Sequence, residues 1–324
     1  IGSAFEIFFG SVFRGELGQD CTMRPLSRFT VAMLDIKHEH YVIDPTCGSG
    51  GFLLEVLLQV WNKLDRDYAG RRELERIKTD FALNQVYGIE IHDILARICK
   101  INLLLHHDGH TNIEGDKSCL DTEFTKERLK LGKENFNVVV GNPPFGDTIK
   151  EGDEDQLGKS SLEDFEVSAG RSQIPSEHII VEKSIKMLKD DGLLGLVLPD
   201  GVFNNQGELS NCPLLRNYLV KQGRVLAVVS LPDYAFRKSG AQNKTSILFF
   251  KKFNYDQRTA FENAYDAQIA NGASDEQAII AALSANPYRV FMAEANFIGY
   301  SSTGALMEKN DLYRGSEGGH LDDD

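Results

Sequence analysis

The sequence predicts an α/β protein with a single, mostly parallel sheet and helices on both faces. Seven short β-rich runs alternate with amphipathic helical segments, the pattern of strands joined by crossover helices. The first run passes directly into a glycine-rich turn, as happens where a parallel sheet opens a ligand crevice. A chain of 324 residues with 42% hydrophobic content is long enough to bury a substantial core.

The expected strands are Tyr41–Asp44, Val86–Ile91, Asn112–Gly115, Phe136–Gly141, Leu193–Leu198, Val225–Leu231 and Ser246–Lys251. A helix from Gly51 or Phe52 through Trp61 is apolar on most faces and therefore expected to be buried. A second runs from Asp93, a good N-cap residue, through Leu105. A third extends from about Ser176 to Gly192, and a fourth from just after Pro213 to Gly223. Segment 146–173 breaks the alternation: from Asp147 to Arg171 eight acidic residues stand against three basic ones, and few are apolar. Such a composition reads as a mobile loop or an insertion, and its place directly after Phe145 makes it a candidate lid. From Asp256 the pattern turns helical, with Ala260–Asn271 as one segment and a capping box, Ser274 to Gln277, opening another. The organisation expected is a helical lead-in over 1–38, a main domain over 39–253, a helical extension over 254–314 and a disordered tail over 315–324.

Bulk properties narrow the function. No apolar stretch is long enough to span a membrane as a helix. The opening Ile1-Gly2-Ser3 shows no basic-then-apolar leader and reads as part of a longer protein. Five single cysteines with no Cys-x-x-Cys pair argue against a zinc site or a disulfide framework and for the cytoplasm. His106, His107 and His110 with Asp108 look superficially like metal ligands, but they fall where a helix gives way to a loop, and no metal is expected there. A net charge of −13 means the chain does not grip nucleic-acid phosphates unaided, because that affinity comes from Lys and Arg displacing counterions.

The most informative residues are Asn142-Pro143-Pro144-Phe145, which close the fourth strand. Each proline fixes its own φ and drives the residue before it into an extended conformation, so the corner is stiff. The Asn142 side-chain oxygen and the Pro143 carbonyl are left as acceptors beside the flat face of Phe145. Two acceptors and a ring suit a planar base with an exocyclic amine, and adenine is the obvious candidate. A plain strand-ending turn would use the same residue types.

The glycine turn reads Asp44-Pro45-Thr46-Cys47-Gly48-Ser49-Gly50-Gly51. Its glycines let the backbone approach a ligand, and the helix that follows presents free N–H groups. The dinucleotide spacing Gly-x-Gly-x-x-Gly is absent, and the acid closing the second strand, Glu90, comes about twice too late for a nicotinamide site. Asp44 would repel a pyrophosphate but attract an ammonium or sulfonium group. S-adenosylmethionine fits, with Glu90 accepting the ribose hydroxyls and Asp116 accepting from the adenine amine; the alternative for Asp116 is a turn cap.

Taken in order, Asp44–Leu53, Tyr87–Ile91, Gly141–Gly146, Gly195–Gly201 and Lys244–Phe250 resemble the N6-adenine DNA methyltransferases, in particular the modification subunits of type I restriction–modification systems. The likeness covers about residues 16–311. It implies a class I S-adenosylmethionine-dependent methyltransferase with a Rossmann-like sheet of seven strands, acting on the N6 amine of a flipped adenine in double-stranded DNA. It implies catalytic Asn142, Pro143, Pro144 and Phe145, and cofactor contacts at Thr22, Asp44, Pro45, Gly48, Ser49, Gly50, Glu90 and Asp116. The lead-in over 1–38 would contribute to that pocket. Phe236 would pack on the base and Arg237, Lys238 and Lys244 would lie near phosphates; the alternatives are a core phenylalanine and an ordinary solvated surface. The partners implied are a separate specificity subunit and a restriction or translocase subunit. One stretch departs from the family: where relatives carry Gln-Tyr/Phe-Phe-Thr-Pro, this chain has Gln19-Asp20-Cys21-Thr22-Met23-Arg24-Pro25, so the threonine survives while the aromatic and the adjacent proline do not. That departure motivates a non-catalytic scaffold as one alternative, and the shared planar NH2 of RNA bases and glutamine amides motivates another.

Overall fold

The computed structural model describes residues 22–106, 109–128, 136–236 and 244–313. Its centre is an eight-stranded sheet in the order β10-β8-β9-β7-β4-β1-β2-β3. The strands are β1 (Val42–Asp44), β2 (Val86–Glu90), β3 (Ile113–Gly115), β4 (Phe136–Gly141), β7 (Leu188–Pro199), β8 (Gly223–Ser230), β9 (Thr245–Lys252) and β10 (Phe291–Glu294). All pairings are parallel except those of β9, which runs antiparallel to both β7 and β8. Two small hairpins lie outside the sheet: β5 (Thr148–Lys150) with β6 (Gln173–Pro175), and β11 (Ile298–Tyr300) with β12 (Leu306–Asn310).

Strand alternation divides the core in two, because successive side chains point to opposite faces. Val42, Val138, Val140, Ile247 and Phe249 join α1 (Arg24–Met33), α2 (Gly51–Asp67), α3 (Leu74–Asn84) and α4 (Asp93–Leu105) on one face. Ile43, Val139, Leu248 and Phe250 meet α5 (Thr122–Arg128), α6 (Ser176–Met187) and α7 (Cys212–Gln222) on the other. A hairpin of α8 (Tyr255–Ala270) and α9 (Asp275–Ala285) projects between β9 and β10 around its own small cluster, Phe253, Phe261 and Ala282.

All seven expected strands are present, and the structure adds an eighth. β10 pairs in parallel with β8, so the seven-strand expectation is corrected to eight. The span expected to be a helical extension is helical only to Ala285 and then supplies β10, β11 and β12. Asp93 is the first helical residue of α4 and His92 takes the N-cap position. The third helix stops at Met187, and Gly192 belongs to β7.

The acidic segment is a folded insertion. Its large apolar residues, Ile149, Leu157, Leu162, Phe165 and Val167, are all buried in the core that contains α6, together with Ile174 just past its end. Glu182 of α6, wholly buried, accepts the N–H groups of Glu166 and Val167 at 2.9 and 2.8 Å, which binds the insertion to the helix. The lead-in residues 1–21, including Gln19–Cys21, and the tail 315–324 lie outside the described residues, as do His107 and Asp108.

Gly223 begins β8 where it passes β9, and a Cβ there would drive into the Lys251 carbonyl and the Phe250 ring. Gly223→Ala is therefore expected to destabilise the fold by about 2 kcal/mol, since overpacking against backbone cannot relax through a rotamer change. Urea unfolding monitored by circular dichroism measures the shift in midpoint.

Candidate active site

The strand order places the predicted residues in a row. Asp116 follows β3, Glu90 ends β2, Asp44 ends β1 and Asn142 follows β4, and these four strands are consecutive neighbours in the sheet. At about 4.8 Å per strand, the row from Asp116 to Asn142 spans roughly 14 Å along the carboxyl edge. That is where ligands bind in open α/β sheets.

The turn between β1 and α2 is fixed by contacts from three directions. Gly50 adopts φ +89° as the N-cap of α2, and a Cβ on it would lie 2.7 Å from the Cys99 Sγ. Gly48 has φ +52° and open space where a side chain would project, so backbone is exposed to the crevice there. Its N–H donates to Glu90 Oε2 at 2.9 Å, and the other Glu90 oxygen accepts from the His92 N–H at 2.9 Å. The Ser49 carbonyl accepts from Asn102 Nδ2 of α4 at 3.2 Å. Pro45 is buried beneath the turn.

Asp44 is almost fully buried and accepts the Thr46 N–H at 3.0 Å. Burial, reinforced by the negative charge of Glu90, pushes its carboxyl pKa up to about 8 against the opposing Thr46 hydrogen bond. Its oxygen lies against Gly141, where a Cβ would come within 2.7 Å of Oδ1. The glycine turn and the proline corner are therefore in direct contact through one carboxyl group.

At the corner, Pro143 is buried and Phe145 half-buried. Asn142 Oδ1 is buried without a hydrogen-bond partner among the described residues. Thr46 Oγ1 and Asn102 Oδ1 are orphaned in the same way, so three buried acceptors around one turn await donors. An S-adenosyl cofactor fits this donor and acceptor set. It would bring an ammonium, two hydroxyls and a ring amine to an edge that offers carboxylates and unfilled oxygens.

Other expectations are placed differently. Phe236 is buried in the core and meets Phe145 edge-on, with ring centroids 6.2 Å apart at 89°, so its face is not open to a base in this conformation. Lys244 stands at the same edge, just ahead of β9, but its ammonium pairs with Glu294 of β10 at 3.1 Å. Thr22 is half-buried immediately ahead of α1 and makes no hydrogen bond to the glycine turn. Arg237 and Lys238 lie outside the described residues.

Sequence reasoning missed Asn102, Ser176 and Glu177. Asn102 had a visible signal, an amide in the apolar run Ile101-Asn102-Leu103-Leu104-Leu105, which a buried helix tolerates only when the group is bonded. Ser176 and Glu177 open α6; the Ser176 hydroxyl donates to the Pro144 carbonyl at 2.9 Å. Two cavities contain none of these residues. One, of about 200 Å³, lies against the α8–α9 hairpin, and one of about 770 Å³ lies beside α5 and α6. The crevice at the strand ends is defined by its polar groups and not by its enclosure.

A sheet of this order with its ligand groups at the carboxyl edge is the class I S-adenosylmethionine-dependent methyltransferase fold, which solved members of that class share with this chain. The family described as N-6 DNA Methylase matches residues 1–282, and the chain belongs to that family. The type I restriction enzyme EcoEI methylase subunit of Escherichia coli is 27% identical over 238 residues, covering 74% of this chain and 43% of that protein. The MpnII methylase subunit of Mycoplasma pneumoniae is 28% identical over 230 residues, covering 70% and 38%. A type I restriction–modification methyltransferase subunit from Streptococcus thermophilus has a solved structure with a TM-score of 0.55 at 22% identity, over 78% of this chain and 49% of that one. The chain thus spans less than half the length of each of these three.

The raised carboxyl pKa has a signed consequence. Asp44 keeps its proton in the folded state where an unfolded aspartate, at 3.8, has lost it, so stability falls as pH rises from about 4 to about 8. Asp44→Asn removes the titration and keeps the shape. Its stability relative to the parent should grow across that window and level off above it, as read from urea midpoints at a series of pH values.

Proposed function

We propose that the chain transfers the methyl group of S-adenosylmethionine to the N6 amine of an adenine flipped out of double-stranded DNA. In this reading it is the modification subunit of a restriction–modification complex, working in the cytoplasm. The observation that carries the reading is Asn142 Oδ1, buried and unpaired among the described residues, just past the strand that pairs with the strand of Asp44.

The amine of adenine is a poor nucleophile because its lone pair is delocalised into the ring. Asn142 Oδ1 and the Pro143 carbonyl would accept its two N–H bonds and favour a pyramidal nitrogen, localising that lone pair. The double proline holds these two acceptors in fixed relation, so positioning supplies most of the acceleration. S-adenosylmethionine, when bound, supplies an electrophilic methyl on a sulfonium. Asp44, Glu90 and Asp116 would hold the ammonium, the ribose hydroxyls and the adenine amine, and Gly48 leaves room for that approach. No side chain need remove a proton at the transition state; the proton leaves the methylated amine afterwards.

Extracting a base costs a few kcal/mol of stacking and pairing, which DNA contacts must offset. A chain of net charge −13 is poorly suited to provide them. A separate specificity subunit would read the site and supply that grip, and a restriction or translocase subunit would complete the assembly.

Asn142→Ala should lower methylation of adenine-containing DNA by at least about a hundredfold, the usual cost of losing a group that stabilises the transition state. Cofactor affinity by calorimetry should change little, and retained turnover would rule out the assignment. The same assay run with DNA, RNA and protein acceptors separates the proposed substrate from other planar amines. A complete, folded protein that binds no cofactor would instead mark a scaffold.

Cation binding should also draw the proton from Asp44. Calorimetry in buffers of different ionisation enthalpy is expected to show proton release on S-adenosylmethionine binding below about pH 8, fading above it. Asp44→Asn should abolish that release.

A further inference from the structure

Building on that reading, we propose that Ser176 and Glu177, the first two residues of α6, are positioning residues that hold the Asn142–Phe145 corner in its working shape. Two hydrogen bonds and one close approach carry the argument. The Ser176 hydroxyl donates to the Pro144 carbonyl at 2.9 Å. The Ser176 N–H donates to the Asp147 carbonyl at 2.9 Å. The Gly146 N–H lies near the Glu177 carboxyl and holds its pKa down against the rise that burial causes.

Two of these contacts fall on the peptide units that flank Phe145. The Pro144 carbonyl belongs to the peptide entering that residue and the Gly146 N–H to the peptide leaving it. Pinning both fixes the backbone of Phe145 and so the direction of its ring, which rests edge-on against Phe236. The constraint also travels backward. Pro143 and Pro144 have fixed φ, so a held Pro144 carbonyl leaves few ways for the Pro143 carbonyl and Asn142 to turn.

The helix that applies these bonds is itself anchored. Glu182, one turn further on, is wholly buried, accepts the Glu166 and Val167 N–H groups at 2.9 and 2.8 Å, and pairs with Lys186 at 2.6 Å. The β5–β6 hairpin joins Thr148 to Pro175, so the residues on either side of the corner and of α6 are also tied by strand pairing. Glu177 is only 9% exposed, and burial raises its carboxyl above the ordinary range, a costly arrangement for a group that only closes a turn. The acidic insertion thereby gains a structural role, because its two ends bring α6 to the proline corner.

The acceptor and donor matter here, not the charge, and that separates the variants. Ser176→Ala and Glu177→Leu each remove a contact with the corner; Ser176→Thr and Glu177→Gln each retain one. In the complex with its specificity subunit, the first pair should lower kcat roughly 10- to 100-fold, the range for a misplaced reacting group. KM for DNA and affinity for S-adenosylmethionine should stay within about twofold of the parent. The second pair should recover most of the rate. Amide hydrogen exchange over residues 141–148 should accelerate in the first pair and not in the second. Unchanged kcat in Ser176→Ala and Glu177→Leu, or unchanged exchange, would overturn the proposal. Exchange is read whether or not the parent methylates DNA: an inactive parent would sink the proposed function and leave exchange to decide this inference.

Discussion

The contact between the Asp44 carboxyl and Gly141 is the constraint on which the site depends. Parallel pairing of β1 with β4 brings the ends of those strands side by side, and a residue without a side chain lets the carboxyl lie against the neighbouring backbone. Any larger residue at 141 would push the strand ends apart, separating the glycine turn from the proline corner. The chemistry proposed here needs a donor held by one and an acceptor held by the other, within bonding distance. The fold supplies that proximity through strand order alone, before any ligand arrives.

The same region carries a concentration of unmet polar groups. Thr46 Oγ1, Asn102 Oδ1 and Asn142 Oδ1 are buried without partners among the described residues, and an unsatisfied buried oxygen costs about 1–3 kcal/mol. Asp44 adds a carboxyl that burial keeps protonated. Elsewhere the sheet is built from well-packed valine, isoleucine, leucine and phenylalanine. Stability is thus lost at the crevice and made up in the two cores, the distribution expected of a preorganised site.

The sequence reveals the central strands because each carries at least two apolar residues that are buried. β10 escaped notice because Phe291, Met292 and Glu294 are exposed on an edge strand, and only the free side of β8 decides their conformation. α3 was missed for a similar reason, since only Phe81 and Ala82 of it are buried. In the acidic insertion the five large buried apolar residues have no regular period, so their common destination against α6 is a tertiary fact. The site shows the same division. Asp44, Glu90 and Asn142 are legible because a parallel strand announces its own end. Ser176 and Glu177 are not, because they act on a corner some thirty residues earlier in the chain.

The antiparallel β9 imposes an order on assembly. β1 to β4 involve only chain up to Gly141, so the cofactor-side half of the sheet can close early during synthesis. β7 then has its second neighbour supplied by residues 245–252, and β8 depends on the same strand. Until that segment leaves the ribosome, two apolar strands have bare hydrogen-bonding edges, the kind of surface that invites mispairing between nascent chains. The late strand is thus the keystone of the target-side half, and truncation upstream of Lys252 would leave an arch without it.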